Sequence, residues 1–204
     1  MRGHYLRPDA SRRGFSLIEL LIVMALLVIM TTLYFSSGSK GFQARKRLEC
    51  ERNLRNIYVA LKTYSLDGKG FPVNSKAVTS EQALSVLIPK YTTSTEYFLC
   101  PGISETKLPD AQPFADRRIS YAYYMGHKID DGGAEPLLTD RQVNSKPKAV
   151  GDPLFSVDGK KPGNNHNKYG GNVMFCDGNV LASGTASAFA LTNAPGITLL
   201  NPKP

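Results

Sequence analysis

Arg12-Arg13-Gly14-Phe15-Ser16-Leu17-Ile18-Glu19-Leu20-Leu21 opens an apolar run that ends near Phe35. The 21 residues from Phe15 to Phe35 contain one charged side chain, Glu19, four places into the run. At about 1.5 Å per residue a helix of this length covers about 31 Å, enough to cross a hydrocarbon core of about 30 Å. A carboxylate inside such a segment costs about 3 kcal/mol and therefore needs a partner, which makes Glu19 a functional-site candidate. An ordinary secretory signal has an apolar region of about 7–15 residues followed by a small-residue cleavage site. Here the run is longer and ends in Tyr34-Phe35-Ser36-Ser37-Gly38, with no Ala-x-Ala. A lipoprotein signal needs a cysteine directly after the run, and the first cysteine is Cys50. A plain signal anchor fits the length. It explains neither Glu19 nor the glycine between the basic pair and Phe15.

The combination of Arg12-Arg13, Gly14, Phe15, the apolar run and Glu19 resembles the prepilin signal of type IV pilins and type II secretion pseudopilins. The resemblance implies that Arg12 and Arg13 mark the leader and that a prepilin peptidase cuts between Gly14 and Phe15 on the cytoplasmic side. The same enzyme would methylate the new amine of Phe15. Glycine before the cut suits this chemistry, because it offers no side chain to obstruct a protease. Glu19 would then pair with the Phe15 amine of a neighbouring subunit, an interaction that is stronger in low dielectric and offsets the burial of both charges. The competing role for Glu19 is to snorkel to the cytoplasmic interface, one turn away.

The partners implied are like subunits in a helical filament, the prepilin peptidase, an inner-membrane assembly platform and membrane lipid. The expected location is a single-pass inner-membrane precursor with residues 36–204 exported. Charge bookkeeping does not support that orientation. Arg2, Arg7, Arg12 and Arg13 precede the run, but Lys40, Arg45, Lys46, Arg47, Arg52 and Arg55 follow it.

The chain has 204 residues, with 42% hydrophobic and 21% charged, as expected of a folded domain behind the apolar segment. Removing residues 1–14 takes four arginines and Asp9 from the 25 basic and 17 acidic side chains and lowers the formal charge from +8 to +5. The stretch Lys40–Arg55 accounts for most of that excess, which points to lipid headgroups or neighbouring subunits. No base-reading motif is present, so no nucleic-acid partner is expected. Three cysteines, Cys50, Cys100 and Cys176, are too few for a disulfide framework. An exported domain permits one bridge, for which Cys100 with Cys176 is the candidate pair. The alternative is three buried thiols.

Residues 36–66 read as a continuation of the first helix. Leu54, Ile57, Leu61 and Tyr64 repeat at steps of three and four, with Leu48 extending the stripe less regularly. Asp67-Gly68-Lys69-Gly70, with Pro72 beyond, signals the end. One helix from Phe15 to Leu66 would be about 78 Å long. Many pilins carry a proline about twenty residues after the cut; here that place holds Ser36-Ser37-Gly38-Ser39, with Gly41 soon after. Each glycine weakens a helix by about 1 kcal/mol, and the serines compete for its backbone hydrogen bonds.

Residues 67–204 read as a β-rich head. Thr79-Ser80-Glu81-Gln82 is a capping-box pattern before a short helix ending at Pro89. Ile119–Met125 is a strand with Ile119, Tyr121, Tyr123 and Met125 on one face. Segments 97–101, 137–140 and 154–157 are further extended candidates. Asn172–Leu181 reads as a hairpin with Asp177-Gly178 in a two-residue type I′ turn. Residues 186–204 give no element beyond a tail. The expected fold is α+β: a long N-terminal helix, membrane-spanning in its first half, packed on a small antiparallel sheet in a pilin-like head. The domain reading is leader 1–14, membrane and assembly helix 15–35, amphipathic continuation 36–66 and head 67–204.

His166, ten residues, then Asp177-Gly178 also resembles a C-terminal motif of pilin-like proteins, which has nine intervening residues. Some major pseudopilins hold calcium in a loop after their strands, and Asp140 and Asp177 are the calcium candidates here, with Asp152 and Asp158 as further oxygen donors. No Asp-x-Asp-x-Asp-Gly loop occurs and histidine is a poor calcium ligand. The reading therefore assigns no metal or cofactor, with Asp177 making the turn and His166 bonding to backbone. No Gly-x-Ser-x-Gly, His-Glu-x-x-His, Walker loop or Cys-x-x-Cys occurs, and the spacing of His127 and His166 supports no catalytic set, so no enzyme is expected. The runner-up to a filament subunit is an anchored surface module that binds glycan or calcium without polymerising. If residues 36–41 take the place of the missing proline, amide hydrogens there should exchange quickly in assembled filaments. Strong protection would contradict it.

Overall fold

A computed structural model describes residues 15–36, 38–104, 107–114, 117–191 and 194–204. The leader 1–14, with Arg12, Arg13 and Gly14, lies outside the described residues. The chain divides into two units that part between Gly38 and Ser39.

The first unit holds helix α1, Leu17–Ser36, whose twenty residues include no glycine or proline. Its start is fixed locally: Ser16 donates its backbone N–H to Oε2 of Glu19 at 2.9 Å, the reciprocal bond of a capping box. Thr31 and Thr32 return their hydroxyls to the carbonyls of Val28 and Ile29, hiding two polar groups on an apolar rod. From Leu17 to Tyr34 the mean hydropathy is 2.5 and no side chain is covered by the rest of the protein. Among the described residues this is the helix long and apolar enough to cross a membrane.

The second unit begins with helix α2, Ser39–Tyr64. The single helix expected over 15–66 is thus two helices, with Gly38 non-helical between them. The interruption falls where glycine and serine weaken the ladder. On α2 the buried stripe is Cys50, Leu54, Ile57, Ala60 and Leu61, while Leu48 is exposed. The stripe therefore starts from Cys50, because Leu48 lies two residues off its face. Burying each leucine or isoleucine of this stripe contributes about 1.5–3 kcal/mol. The helix ends in a wider π-type turn at Ser65–Lys69, with Gly68 (φ +75°) and Gly70 (φ +68°) in conformations open to glycine.

The stripe packs on a five-stranded antiparallel sheet formed by β1 (Tyr121–Met125), β2 (Pro136–Asp140), β3 (Gly171–Phe175), β4 (Val180–Ser183) and β5 (Thr198–Leu200). The spatial order is β4-β3-β2-β1-β5. Ile119, Tyr121, Tyr123 and Met125 join the α2 core, whereas Ala122 and Tyr124 pack with Leu199 on the other face. This is the period-two alternation expected of β1. The α+β, pilin-like arrangement stands.

Several local expectations change. Strand β5 comes from the supposed tail: Ile197-Thr198-Leu199-Leu200, after Pro195-Gly196, pairs with β1 through Tyr124 and Leu199. Residues 154–157 form no strand; Leu154 and Phe155 are buried with Val173 and Leu191 in a satellite core, held by bonds to the Thr185 carbonyl. Thr95–Phe98 is a 3-10 turn, so only its exit is extended. The helix after Thr79 is Ser80–Leu84 (α3), continued by a 3-10 turn to Leu87. Its capping box is not made, because Gln82 turns its Oε1 to the N–H of Val78 at 2.7 Å. Glu81 is instead fully buried, accepting the N–H groups of Ile119 (3.1 Å) and Lys203 (3.0 Å) and pinning the C-terminus.

The β3–β4 hairpin has Gly178 at φ +87° but Asp177 at negative φ, so it is not type I′. Gly178 donates to the Phe175 carbonyl (2.9 Å) and Phe175 to Asn179 (2.9 Å), a three-residue loop with a glycine bulge. A Cβ at Gly178 would lie 2.7 Å from the ring of Tyr58, whose hydroxyl donates to the Cys176 carbonyl. Gly178→Ala should therefore lower stability by about 1–3 kcal/mol in thermal unfolding. Gly184→Ala, which meets open space, should leave the midpoint unchanged.

Candidate functional site

Two places on the chain carry chemistry. At the first, Phe15 is 84% exposed and Glu19 faces back to the Ser16 N–H. Ser16-Leu17-Ile18-Glu19 is itself a capping-box sequence, a local signal set inside the apolar run. The carboxylate thus has a local partner at the helix start before any neighbour arrives.

The second place is a buried cluster that no sequence spacing announces. Cys50 projects from the stripe of α2. Cys100 follows the 3-10 turn, its N–H held by the Ser120 hydroxyl at 2.8 Å. Asp140 closes β2, and His166 lies in the loop before β3. Asp140, His166 and Cys50 are 0% exposed and Cys100 is 1% exposed. One ligand atom from each of the four lies within 4.8 Å of those of the others. His166 Nε2 stands 3.3 Å from Oδ2 of Asp140 and 3.6 Å from Sγ of Cys100.

Surrounding groups fix this arrangement. The Asn165 side-chain amide donates to Oδ1 of Asp140 (2.9 Å) and to the Ser120 carbonyl (2.8 Å). The Asn172 N–H donates to Oδ2 of Asp140 at 2.7 Å, and its side chain donates to the Arg47 carbonyl on α2. Gly102 donates its N–H to Sγ of Cys100 at 3.2 Å. A Cβ on Gly102 would lie 1.8 Å from the Asn165 carbonyl oxygen, so the two loops close on each other only with glycine there.

Electrostatics divide the cluster. Burial disfavours the His166 cation, but the Asp140 carboxylate and hydrogen bonds to Asp140 and Cys50 outweigh it and raise His166 to about 10. Burial likewise opposes the Cys50 thiolate, yet hydrogen bonds to Cys100 and His166 bring its pKa below the usual thiol value. Burial and the neighbouring Cys50 sulfur push the Cys100 thiol well up. A Cys–His–Asp set resembles a nucleophilic constellation, but all four groups are enclosed, and a nucleophile needs an approach for its substrate.

The sequence-level site residues fare differently. The proposed Cys100–Cys176 bridge is not formed; all three cysteines are free and buried. Cys100 faces His166 and the Asn165 carbonyl, while Cys176 lies at the far end of β3, its N–H on Glu135 and its thiol raised by burial to about 12. Asp140 and Asp177 do not converge: the register sets Pro136 opposite Phe175 and Thr139 opposite Val173, so they sit at opposite ends of the β2–β3 pair. Asp177 makes the hairpin turn, accepting the Asn179 N–H at 2.8 Å. His166 uses its ring on side chains rather than on backbone. His127, 3% exposed, pairs through Nδ1 with Asp131 at 2.8 Å.

The family model described as "Prokaryotic N-terminal methylation motif" matches residues 9–35. With the uncovered apolar helix α1, this segment fits a prepilin signal of the pilin and pseudopilin kind. The motif and the helix fit an inner-membrane-anchored precursor processed by prepilin peptidase. No curated protein and no solved structure matches the chain.

Removing one partner of a buried ion pair leaves an uncompensated charge. Asp140→Ala should lower stability by about 3–5 kcal/mol. Asp177→Ala, which deletes an exposed turn bond, should lose about 1 kcal/mol. Comparable losses in chemical denaturation would contradict the separation of the two carboxylates.

Proposed function

We propose that this chain is a structural subunit of a type IV pilus or of a type II secretion pseudopilus. Prepilin peptidase would cut it between Gly14 and Phe15 and methylate Phe15, and the inner-membrane assembly platform would then draw it into a filament of like subunits. The observation that carries this reading is the methylation motif joined to an apolar helix in which nothing covers Leu17–Tyr34. Apolar side chains also stand exposed on α2, at Phe42, Leu48 and Val59, where a filament would bury them.

In this reading Glu19 changes partners. In the single chain it accepts the Ser16 N–H; in the filament it would receive the Phe15 amine of a neighbour, a charged donor in low dielectric. The head would face the periplasm or the cell exterior, with α1 as its anchor before assembly.

The competing role, an anchored module for glycan or calcium, draws on an open groove of about 520 Å³ lined in part by Glu49, Arg52, Tyr97 and Lys107. A tether needs neither processing nor Glu19. Mass spectrometry of the mature chain should find an N-methylated phenylalanine at residue 15. An intact residue 1 would favour the tether. Glu19→Ala should insert into the membrane yet fail to enter filaments, and normal assembly of that variant would remove the proposed role of the carboxylate.

A further inference from the structure

We propose that Cys50, Cys100, Asp140 and His166 form a closed structural zinc site that fastens α2 to the head.

The donor geometry is the first argument. In a tetrahedral zinc site, bonds of about 2.3 Å to sulfur and about 2.0–2.1 Å to nitrogen and oxygen set the edges between ligands. Those edges are about 3.6 Å for sulfur to nitrogen and about 3.4 Å for nitrogen to oxygen. The distances here are 3.6 Å from Cys100 Sγ to His166 Nε2 and 3.3 Å from His166 Nε2 to Asp140 Oδ2. All four donors fall within 4.8 Å of one another, so shifts of about 1 Å bring them onto one tetrahedral ion.

The surroundings are the second argument. Metal-bound carboxylates and thiolates are oriented by outer hydrogen bonds, and both are supplied here. Asn165 and Asn172 hold the two oxygens of Asp140, and the Gly102 N–H points at the Cys100 sulfur. Among the described residues Nδ1 of His166 has no hydrogen-bond partner, and Nε2 is the ring atom that faces Asp140 and Cys100. Arg47 lines the same small cavity of about 120 Å³ as His166, opposite in sign to the loaded site.

Ligand type selects the metal. Two thiols and an imidazole suit zinc, whereas calcium requires six to eight oxygens. Four protein ligands fill the four tetrahedral positions, as in a structural site rather than a catalytic one. Binding displaces the protons on the ligand atoms, those of the cysteine thiols and the Nε2 proton of the His166 cation, whose freed lone pair then binds the ion. Two thiolates, one carboxylate and Zn²⁺ then carry a net charge of −1. The site joins four segments spread from residue 50 to residue 166, so it ties the helix to both ends of the intervening chain. It also shields two adjacent thiols from oxidation to a disulfide in an exported domain.

The site lies wholly within residues 39–204, so its test stands apart from that of the filament reading. Full-length protein in detergent, purified under reducing conditions without added metal, should contain one zinc per chain by elemental analysis. Chelation should lower the unfolding midpoint by about 10 °C. Reduced, metal-free protein should bind Co²⁺ one-to-one, with the intense visible bands of a tetrahedral ion and a thiolate charge-transfer band. Cys100→Ser should weaken that band, and Cys176→Ser should leave the spectrum unchanged. Failure of reduced wild-type protein to bind Co²⁺ or Zn²⁺ overturns the proposal, whatever the variants do. So does a Cys50–Cys100 disulfide in the native protein, read as a linked peptide two hydrogens lighter, and so does loss of the Co²⁺ bands in Cys176→Ser.

Discussion

One face of α2 must be buried, and most of the head follows from that requirement. Cys50, Leu54, Ile57, Ala60 and Leu61 form a stripe that water would penalise along its whole length. The sheet supplies the opposing surface: Tyr121, Tyr123 and Met125 of β1, Leu138 of β2 and Met174 of β3 share its core. Because side chains alternate along a strand, this choice sends Ala122 and Tyr124 to the other side, where β5 and its neighbours cover them. A shift of one residue would turn that inner face outward, so the stripe fixes register as well as position.

The same face brings polar chemistry into the interior. Cys50 sits on the stripe, and the groups it meets are polar or titratable. Such groups stay buried only when each is paired. Asp140 meets this condition with two amide donors and an imidazole, and Glu81 meets it with two backbone N–H groups. These two carboxylates act as internal ties. Asp140 links β2 to the loop before β3, and Glu81 links α3 to β1 and the C-terminal residues.

The N-terminal unit obeys the opposite rule. From Leu17 to Tyr34 its large apolar side chains are exposed, while Glu19, Thr31 and Thr32 make their bonds within the segment. A helix made this way suits a hydrocarbon environment, where each backbone and hydroxyl group must find its partner internally. The protein thus pairs a segment adapted to lipid with a head whose core is closed by its own sheet.

The N-terminal motif, the apolar helix, the end of α2 at Gly68 and Gly70 and the faces of β1 were legible in the sequence, because each depends on neighbours within a turn or a strand. The weak point near Gly38 was legible for the same reason. The break itself, the unmade cap at Thr79, the glycine bulge at Gly178 and strand β5 were not, since in each a partner distant in sequence or a competing local bond decided the outcome. The cluster of Cys50, Cys100, Asp140 and His166 was the least legible. Its members are separated by tens of residues and meet only because α2, β2 and two loops pack together, so distance in space alone turned Cys50, a supposed disulfide cysteine, a supposed calcium carboxylate and a motif histidine into one site.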